Sequence, residues 1–286
     1  GFLFSYQKFR KEYEIPVSKD GDRKVLERLH QLIGPFILRR LKSQVLKELP
    51  EKLETVVYSR AEGMQKELYS ASAALLKEKL ESGGFEQDRF QVLAALTRLR
   101  QICCHPSLCY TNYKEGSAKL ETCVDLIRNG IAGGHRILLF SQFTSMLEII
   151  GERLEKEKIP CYRLTGDTPK EERIRLAGTF GQDEVMVFLI SLKAGGTGLN
   201  LTAADMVIHY DPWWNVAAQN QATDRAHRIG QDRKVTVFKL IMKDTVEENM
   251  LRLQQMKQNL AEGVIAEGTV ELSSLTGRDV MRLLEG

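Results

Sequence analysis

The spacing of the hydrophobic positions changes at about residue 135 of the chain. Before that point, apolar residues recur at helical spacing after one β-rich run at 55–60. Helices are predicted in this part over about 64–81, 87–103 and 117–131. Beyond it, short runs of Val, Ile, Leu and Phe alternate with amphipathic stretches. Strands are predicted there at 136–141, 160–165, 184–190, 206–210 and 234–242, and helices at 144–158, 169–180, 217–229 and 245–265.

Apolar strands that alternate with helices are typical of a parallel sheet that is covered on both faces. The pattern therefore predicts an α/β fold, preceded by a helical part at about 64–131. Thr144 is the expected N-cap of one helix, and Thr245 with Glu248 has the spacing of a capping box at another. Ligands are expected beyond the carboxyl ends of the strands.

The composition is that of a soluble globular protein, with 286 residues of which 43% are hydrophobic and 28% are charged. No apolar run of about 18 residues predicts a membrane span, and no secretion signal is visible, so a cytoplasmic location is expected. The net charge of +3 means that any nucleic-acid site must be a local patch. The chain opens with Gly1 rather than Met, which we interpret as a fragment of a longer protein.

Two features of the first half have a structural and a functional interpretation. Cys103, Cys104 and Cys109 lie near His105, but no second pair stands at zinc spacing, so we favour buried thiols at a helix end and expect no metal. The basic run at 36–52 has its cations at helical spacing. A solvated helix face is the favoured interpretation of that run, and a cationic face near a phosphate backbone is the alternative.

The loop after the third strand of the second half, at 191–205, is rich in glycine. Glycine lets a polyanion approach the backbone amides closely, so this loop is a candidate for phosphate binding. The candidate groups are the amides of Gly195, Gly196 and Gly198 and the side chains of Ser191, Lys193 and Thr197. A tight strand-to-helix connection is an equally good interpretation, because the dinucleotide fingerprint spacing is absent.

The predicted helix that includes 219–231 places Gln221, Arg225 and Arg228 on one face. Two neighbouring guanidinium groups repel one another unless they share an anion, and a phosphate chain is the natural partner. The alternative is an exposed helix whose charge is balanced by Asp224, and the spacing does not decide between them.

The sequence contains no G-x-x-x-x-G-K-[ST] loop to hold the β- and γ-phosphates of a nucleotide. The acidic run at 183–186 lies at the start of a strand, whereas an acid that holds magnesium follows a strand's carboxyl end. An arginine pair and a phosphate loop without a nucleotide cradle are typical of the far half of a split ATP site.

Several segments resemble motifs of the Swi/Snf family of helicase-like ATPases. The second-lobe motifs are matched by "ILLFSQFTSMLEII" (137–150), "YRLTGDTPKEER" (162–173), the run from Ser191 to Gln231, and "VFKLIMKDTVEENML" (237–251). The stretch between the family's lobes is matched by "PFILRRLKSQVLKELPEK" (35–52) and "LRQICCHP" (99–106), and the close of the first lobe by "GFLFSYQKFRKEY" (1–13). The run from Asp211 to Gln231 is the most specific of these matches.

The resemblance implies two RecA-like lobes with ATP and Mg²⁺ in the cleft between them and duplex DNA across both. This chain would be the second lobe, a RecA-like parallel sheet with helices on both faces and an inserted or preceding helical protrusion. Residues 1–54 would close the first lobe and form the linker and protrusion, 55–265 would form the second lobe, and 266–286 would be a C-terminal appendage.

The resemblance also implies roles for individual residues. Arg225 and Arg228 match the arginine fingers. Support of the ATP site is implied for Gln221, Asp224, Gly196 and Gly198. Contact with the DNA backbone is implied for Ser141, Gln142, Thr144, Gly166, Thr168, Lys193, Gly195 and Thr197. Trp213 and Trp214 match the residues that couple hydrolysis to movement. The segment 164–168 departs from the commoner family form, which puts a DNA contact by Asp167 in doubt.

These matches predict half of a composite DNA-dependent ATPase that tracks along duplex DNA. Its partners would be double-stranded DNA and the first lobe of the same protein, and the isolated chain would be inactive. Three alternatives stay open: a module that docks on DNA or protein without ATP, half of an RNA helicase, and a bacterial member of the family that remodels RNA polymerase. Substrate complex, tracking direction, flanking domains and oligomeric state are not predicted.

Overall fold

The computed structural model describes residues 5–18, 22–33, 49–83, 88–192, 194, 199–261 and 276–285. The chain divides into two compact units, which are 1–48 with 257–268, and 49–256 with 269–286. The first unit contains the helices α1 (Tyr6–Phe9), α2 (Ile15–Ser18) and α3 (Arg23–Ile33), with a π-helix at Arg10–Glu14. Tyr13 is buried and stacks on Phe9. Most of the basic run at 36–52 lies outside the described residues.

The second unit is built on a sheet of six parallel strands. In chain order the strands are β1 (Lys52–Ser59), β2 (Ile137–Ser141), β3 (Cys161–Leu164), β4 (Val187–Ser191), β5 (Met206–His209) and β6 (Val235–Met242). Their order across the sheet is β1-β6-β5-β2-β4-β3. The prediction of a RecA-like parallel α/β fold is therefore confirmed.

Helices cover the sheet on both faces. The second unit contains α4 (Gly63–Glu81), α5 (Arg89–Cys104), α6 (Ala118–Ala132), α7 (Thr144–Lys156), α8 (Lys170–Thr179), α9 (Val216–Thr223), the part of α10 (Val246–Ala261) up to residue 256, and α11 (Gly277–Leu284). Ile137 and Leu139 of β2 face α6 and α7, whereas the alternate residues Leu138 and Phe140 face α8 and α9. Successive side chains of a strand point to opposite faces, so a continuous apolar run is what a doubly covered strand requires.

A third apolar cluster lies among the helices. It joins α4, α5, α10 and α11 to Trp214, which follows β5. Val280 and Leu283 of α11 are fully buried in this cluster, so the terminal helix is part of the packing of the second unit. No described helix is both long enough and apolar enough to cross a membrane.

The thiols at the end of α5 are buried, as predicted from the sequence. Cys103 and Cys104 are almost completely inaccessible, and Cys109 is half-buried. Burial raises the pKa of both inaccessible thiols, which keeps them protonated.

Two of the predicted helix caps are wrong in detail. Phe143 rather than Thr144 is the N-cap of α7, because the Ser141 hydroxyl accepts from the Phe143 amide and holds that residue outside the helix. At α10, the amide of Asp244 rather than Thr245 donates to Glu248, and the Thr245 hydroxyl accepts from Glu247.

Candidate functional site

The end of β2 is joined to the end of β5 by buried hydrogen bonds. The Ser141 hydroxyl donates to Asp211 Oδ1 at 2.6 Å, and the Gln142 amide donates to the same oxygen at 3.3 Å. Ser141 is fully buried and Asp211 is 1% exposed. The Ser141 hydroxyl is therefore used inside the protein, and a contact of this loop with the DNA backbone stays a prediction.

Gln142 and Thr144 lie where the chain leaves β2 and enters α7. Gln142 is half-buried, and its side-chain nitrogen has no hydrogen-bond partner among the described residues. Thr144 and Ser145 are exposed in the first turn of α7. The Met146 amide donates to the Phe143 carbonyl at 3.1 Å. The amides of Thr144 and Ser145 have no acceptor within the helix, so this end of α7 presents donors and the positive end of the helix dipole.

The turn after β3 is held in place by Arg173 of α8. Its guanidinium donates to the carbonyls of Thr168 and Gly166, both at 2.7 Å, and also lies within 3.4 Å of the Ala194 carbonyl. Gly166 is exposed at the tip of this turn and Thr168 is half-buried. Arg173 therefore fixes the turn beside the residues that follow β4.

The glycine-rich loop begins where β4 ends. Ala194 is buried in this loop, and the Leu192 amide donates to the Ser141 carbonyl at 3.0 Å. The candidate residues Lys193, Gly195, Gly196, Thr197 and Gly198 lie outside the described residues. Strands β2, β4 and β3 are neighbours, so the three loops with predicted DNA contacts leave adjacent strand ends.

The helix predicted over 217–229 ends at Thr223, so Arg225 and Arg228 do not share a helix face with Gln221. The prediction of a common face is wrong. Residues 224–230, which we call the arginine turn, follow α9 as a series of turns. After Asp224 the amides of Arg225 and Ala226 donate to the carbonyls three residues back, at Ala222 and Thr223, so the i to i−4 ladder is not continued. The Arg225 carbonyl then accepts from the Leu201 amide at 3.1 Å, which ties this turn to the segment before β5.

The two arginines of this turn have different environments. Arg225 is 5% exposed, and burial lowers the pKa of its guanidinium, whereas Arg228 is exposed. Gln221 is also exposed, and Asp224 is half-buried as the C-cap of α9. Four of the six predicted ATP-site residues therefore lie in one short segment, with one arginine buried and the other accessible, while Gly196 and Gly198 lie outside the described residues.

Gln231 closes the arginine turn and was not singled out from the sequence. Its side-chain nitrogen donates to the carbonyls of Thr202, Ala204 and Ala226 at 2.8–3.0 Å. Gly230 has a φ of +97°, which a residue with a side chain rarely adopts. These two features return the chain sharply toward β6 and explain the sequence Gly-Gln at this point.

His209 connects the end of β5 to the arginine turn. Its ring stacks on Phe140, and Nε2 lies 2.8 Å from the hydroxyl of Thr223, the last residue of α9. Burial lowers the pKa of His209 to about 3, so the ring is neutral in the folded protein.

Replacing His209 with Phe should reduce the sensitivity of the fold to acid. In the unfolded chain this histidine binds a proton below about pH 6.5, whereas in the fold it does so only near pH 3, so its contribution to stability is lost as the pH falls between those values. Between pH 6.5 and 5, urea unfolding should show the wild type losing about 2 kcal/mol more than H209F. An equal loss for both proteins would contradict the assignment.

The two tryptophans are held by side chains from three helices. The Trp213 amide donates to Gln219 Oε1 of α9 at 3.2 Å, and the Trp213 carbonyl accepts from Gln254 Nε2 of α10 at 2.5 Å. Arg100 of α5 donates to the Pro212 carbonyl at 2.5 Å. Trp213 is half-buried, and Trp214 is 5% exposed.

Five side chains that organise these segments were missed from the sequence, namely Arg100, Arg173, Gln219, Gln231 and Gln254. Each binds backbone carbonyls or amides of a loop, and the spacing of residues in a motif does not indicate such a role. Arg100 alone carried a signal, because it falls on the face of α5 that Leu96 and Cys103 bury. A cation at an apolar helix position indicates a buried partner.

Among the described residues, no group of three or more His, Cys, Asp or Glu side chains could hold a metal ion. Asp183, in the acidic run before β4, accepts from the Tyr162 hydroxyl and lies 3.8 Å from Arg136. Its partners are those of a structural carboxylate.

Residues 118–230 match the helicase conserved C-terminal domain, and residues 1–108 match the SNF2-related domain. The putative ATP-dependent helicase/translocase YwqA of Bacillus subtilis is 41% identical over 273 residues, which are 93% of this chain and 30% of that protein. The Sulfolobus solfataricus SWI2/SNF2 ATPase core in complex with dsDNA is 34% identical with a TM-score of 0.70, over 100% of this chain and 61% of that one. The Sulfolobus solfataricus SWI2/SNF2 ATPase C-terminal domain is 30% identical with a TM-score of 0.68, over 82% of this chain and 99% of that one.

The chain spans about 22–30% of the length of the curated relatives it matches. It covers nearly the whole of the solved C-terminal domain, and both family matches agree with the motifs quoted above. The chain therefore belongs to the SNF2 family of helicase-related ATPases, and its larger unit has the fold of that family's C-terminal lobe.

Proposed function

We propose that this chain is the second lobe of an ATP-dependent translocase that tracks along double-stranded DNA. It would bind the phosphate backbone and supply Arg225 and Arg228 to ATP that is held mainly by the first lobe. The observation that carries this proposal is the position of the three candidate DNA loops at the adjacent ends of β2, β4 and β3.

The case for DNA rests on the groups these loops present. The first turn of α7 is exposed at Thr144, and Gly166 is exposed in the turn before α8. Both segments lead into helices whose first amides are free to bind an anion. Contacts of this kind reach phosphates rather than base edges, so they position a protein on a duplex without reading its sequence.

The case for ATP rests on the arginine turn. A guanidinium matches phosphate oxygens bidentately, and an arginine that arrives across a cleft stabilises the charge that develops during phosphoryl transfer. Arg228 is accessible to such a partner, whereas Arg225 is buried and its carbonyl accepts from the Leu201 amide. In this proposal, ATP supplies the transferred phosphoryl group, and the Mg²⁺ ligands belong to the first lobe. The isolated chain would then not hydrolyse ATP.

Binding of this chain to duplex DNA should be weak, independent of sequence and dependent on salt. Because the net charge is only +3, few counterions are released, and a slope of log affinity against log salt of about −2 to −4 is expected. Fluorescence anisotropy with two labelled duplexes of equal composition and different sequence measures both properties. The double variant Lys193→Ala with Thr197→Ala should weaken binding to both duplexes equally.

Lys156→Ala is the matched control, because this exposed lysine lies at the last residue of α7, at the end of the helix away from Thr144. It should leave the affinity close to that of the wild type. A slope near zero, or a clear preference for one duplex, is incompatible with a lobe that tracks along the backbone. In the two-lobe protein, equal losses of basal and DNA-stimulated turnover in the double variant would assign the loop to nucleotide alone.

A further inference from the structure

A buried ion pair connects the helical part of the lobe to residues 211–214, which we call the tryptophan segment. Arg100 of α5 is 3% exposed, and its Nη2 lies 3.8 Å from Asp211 Oδ2. The same nitrogen donates to the Pro212 carbonyl at 2.5 Å. The guanidinium also lies over the rings of Trp214, at 5.5 Å, and of Phe143, at 5.8 Å.

Asp211 uses its two oxygens for two different elements. Oδ1 accepts from Ser141 and Gln142 at the end of β2, while Oδ2 faces Arg100. The pair therefore connects α5, the tryptophan segment after β5 and the candidate DNA loop after β2. These three elements are far apart in the chain, and this ion pair contacts all of them.

The ion pair is poorly satisfied for its burial. Arg100 Nε and Asp211 Oδ2 have no hydrogen-bond partner among the described residues. Burial raises the pKa of the Asp211 carboxyl and lowers that of the Arg100 guanidinium. A buried pair with unmade hydrogen bonds contributes little to stability, and an apolar pair of similar size would often be as stable. Its contacts therefore favour a role in placing the segments it joins.

We propose that Arg100 is a positioning residue that, with Asp211, sets the tryptophan segment relative to the candidate DNA loop, so that DNA at Gln142 and Thr144 changes the surroundings of Trp213 and Trp214. This inference rests on the proposed function for its second half. Its first half, the placing of the tryptophan segment, concerns the chain alone.

The two tryptophans are the only ones in the chain, so its intrinsic fluorescence reports on this segment directly. Arg100→Lys keeps the charge but loses the planar group that covers Trp214 and reaches Pro212. We expect a shift of the emission maximum and stronger quenching by acrylamide, with the cooperative unfolding transition retained. Arg98→Lys is the matched control, because this exposed arginine of α5 lies over Tyr110 instead. It should leave the emission unchanged.

In the two-lobe protein, Arg100→Lys should reduce the ratio of DNA-stimulated to unstimulated ATP turnover by about tenfold, with the KM for ATP unchanged. The double variant R100M/D211N removes both charges and keeps an acceptor for Ser141 and Gln142. It should fold as stably as the wild type and still show the reduced ratio. The control variant Arg98→Lys should show the same ratio as the wild type.

If Arg100→Lys showed the emission of the wild type, the proposal would be overturned. It would also be overturned if R100M/D211N showed the wild-type ratio of stimulated to unstimulated turnover, because the ion pair would then have a structural role only. If the wild-type two-lobe protein showed no stimulation by DNA, the proposed function would fail. The fluorescence of the chain without DNA would still decide whether Arg100 positions the tryptophan segment.

Discussion

Replacing Arg225 or Arg228 with Ala in the two-lobe protein is expected to lower DNA-stimulated ATP turnover by about 10³-fold, or about 4 kcal/mol of transition-state stabilisation. The physical reason is the loss of a fixed positive charge at phosphate oxygens whose negative charge grows during transfer. Steady-state turnover at saturating ATP and DNA measures the loss. The affinity for ATP should change far less, because most of the binding groups belong to the first lobe.

Arg233→Ala is the matched control for both substitutions. This exposed arginine follows the arginine turn and lies 3.4 Å from Asp205, away from the segment assigned to ATP. Its removal should change turnover by less than about twofold, as for most surface substitutions. A loss of tenfold or less in both R225A and R228A would instead support the interpretation of a solvated surface segment.

Replacing Lys119 with Met should destabilise the fold by about 3–5 kcal/mol, since it leaves the Glu247 carboxylate buried without its counterion. Both side chains are completely inaccessible, and Glu247 Oε2 also accepts from the Met242 amide at 2.8 Å. Burial alone would lower the pKa of Lys119, but the charge and hydrogen bond of Glu247, together with the neighbouring Cys104 and Cys103, outweigh it and raise that pKa. The midpoint of urea unfolding measures the loss.

The double variant K119M/E247Q tests the origin of that loss. Gln keeps an acceptor for the Met242 amide and removes the charge, so most of the stability should return. Lys114→Met, at an exposed lysine five positions earlier, should be close to neutral. A double variant as unstable as K119M would show that the loss comes from packing rather than from the unpaired carboxylate.

The sheet was predictable because its central strands are buried on both faces. The apolar runs of β2 and β4 differ from the predictions by at most three residues, since continuous hydrophobicity is the requirement of that position. The edge strand β1 begins at Lys52, three residues before the predicted start at residue 55. Lys52 and Glu54 belong to it although they are polar, because Glu54 pairs with Lys52 and with Lys239 of β6.

The site was less predictable than the sheet because backbone groups hold it together. Helical spacing extended α9 through Arg228, but the carbonyl of Arg225 is taken by Leu201, and that bond joins residues far apart in the chain. The DNA contact predicted for Ser141 came from the family resemblance of its loop, which gave no sign that Asp211 binds the Ser141 hydroxyl in the interior. A local pattern carries no information on such long-range partners.

The pairing of β1 with β6 has a consequence for synthesis on the ribosome. β1 is an edge strand whose one neighbour in the sheet is β6, and that neighbour begins about 175 residues later. At about 5–20 residues per second, β1 waits about 10–35 s before its partner is made. During this interval Leu53 and Val57 have no strand beside them, so the nascent chain carries an open β-edge that a chaperone or a neighbouring nascent chain could occupy. Slower translation between β1 and β6 should therefore increase aggregation of this protein more than slower translation after β6.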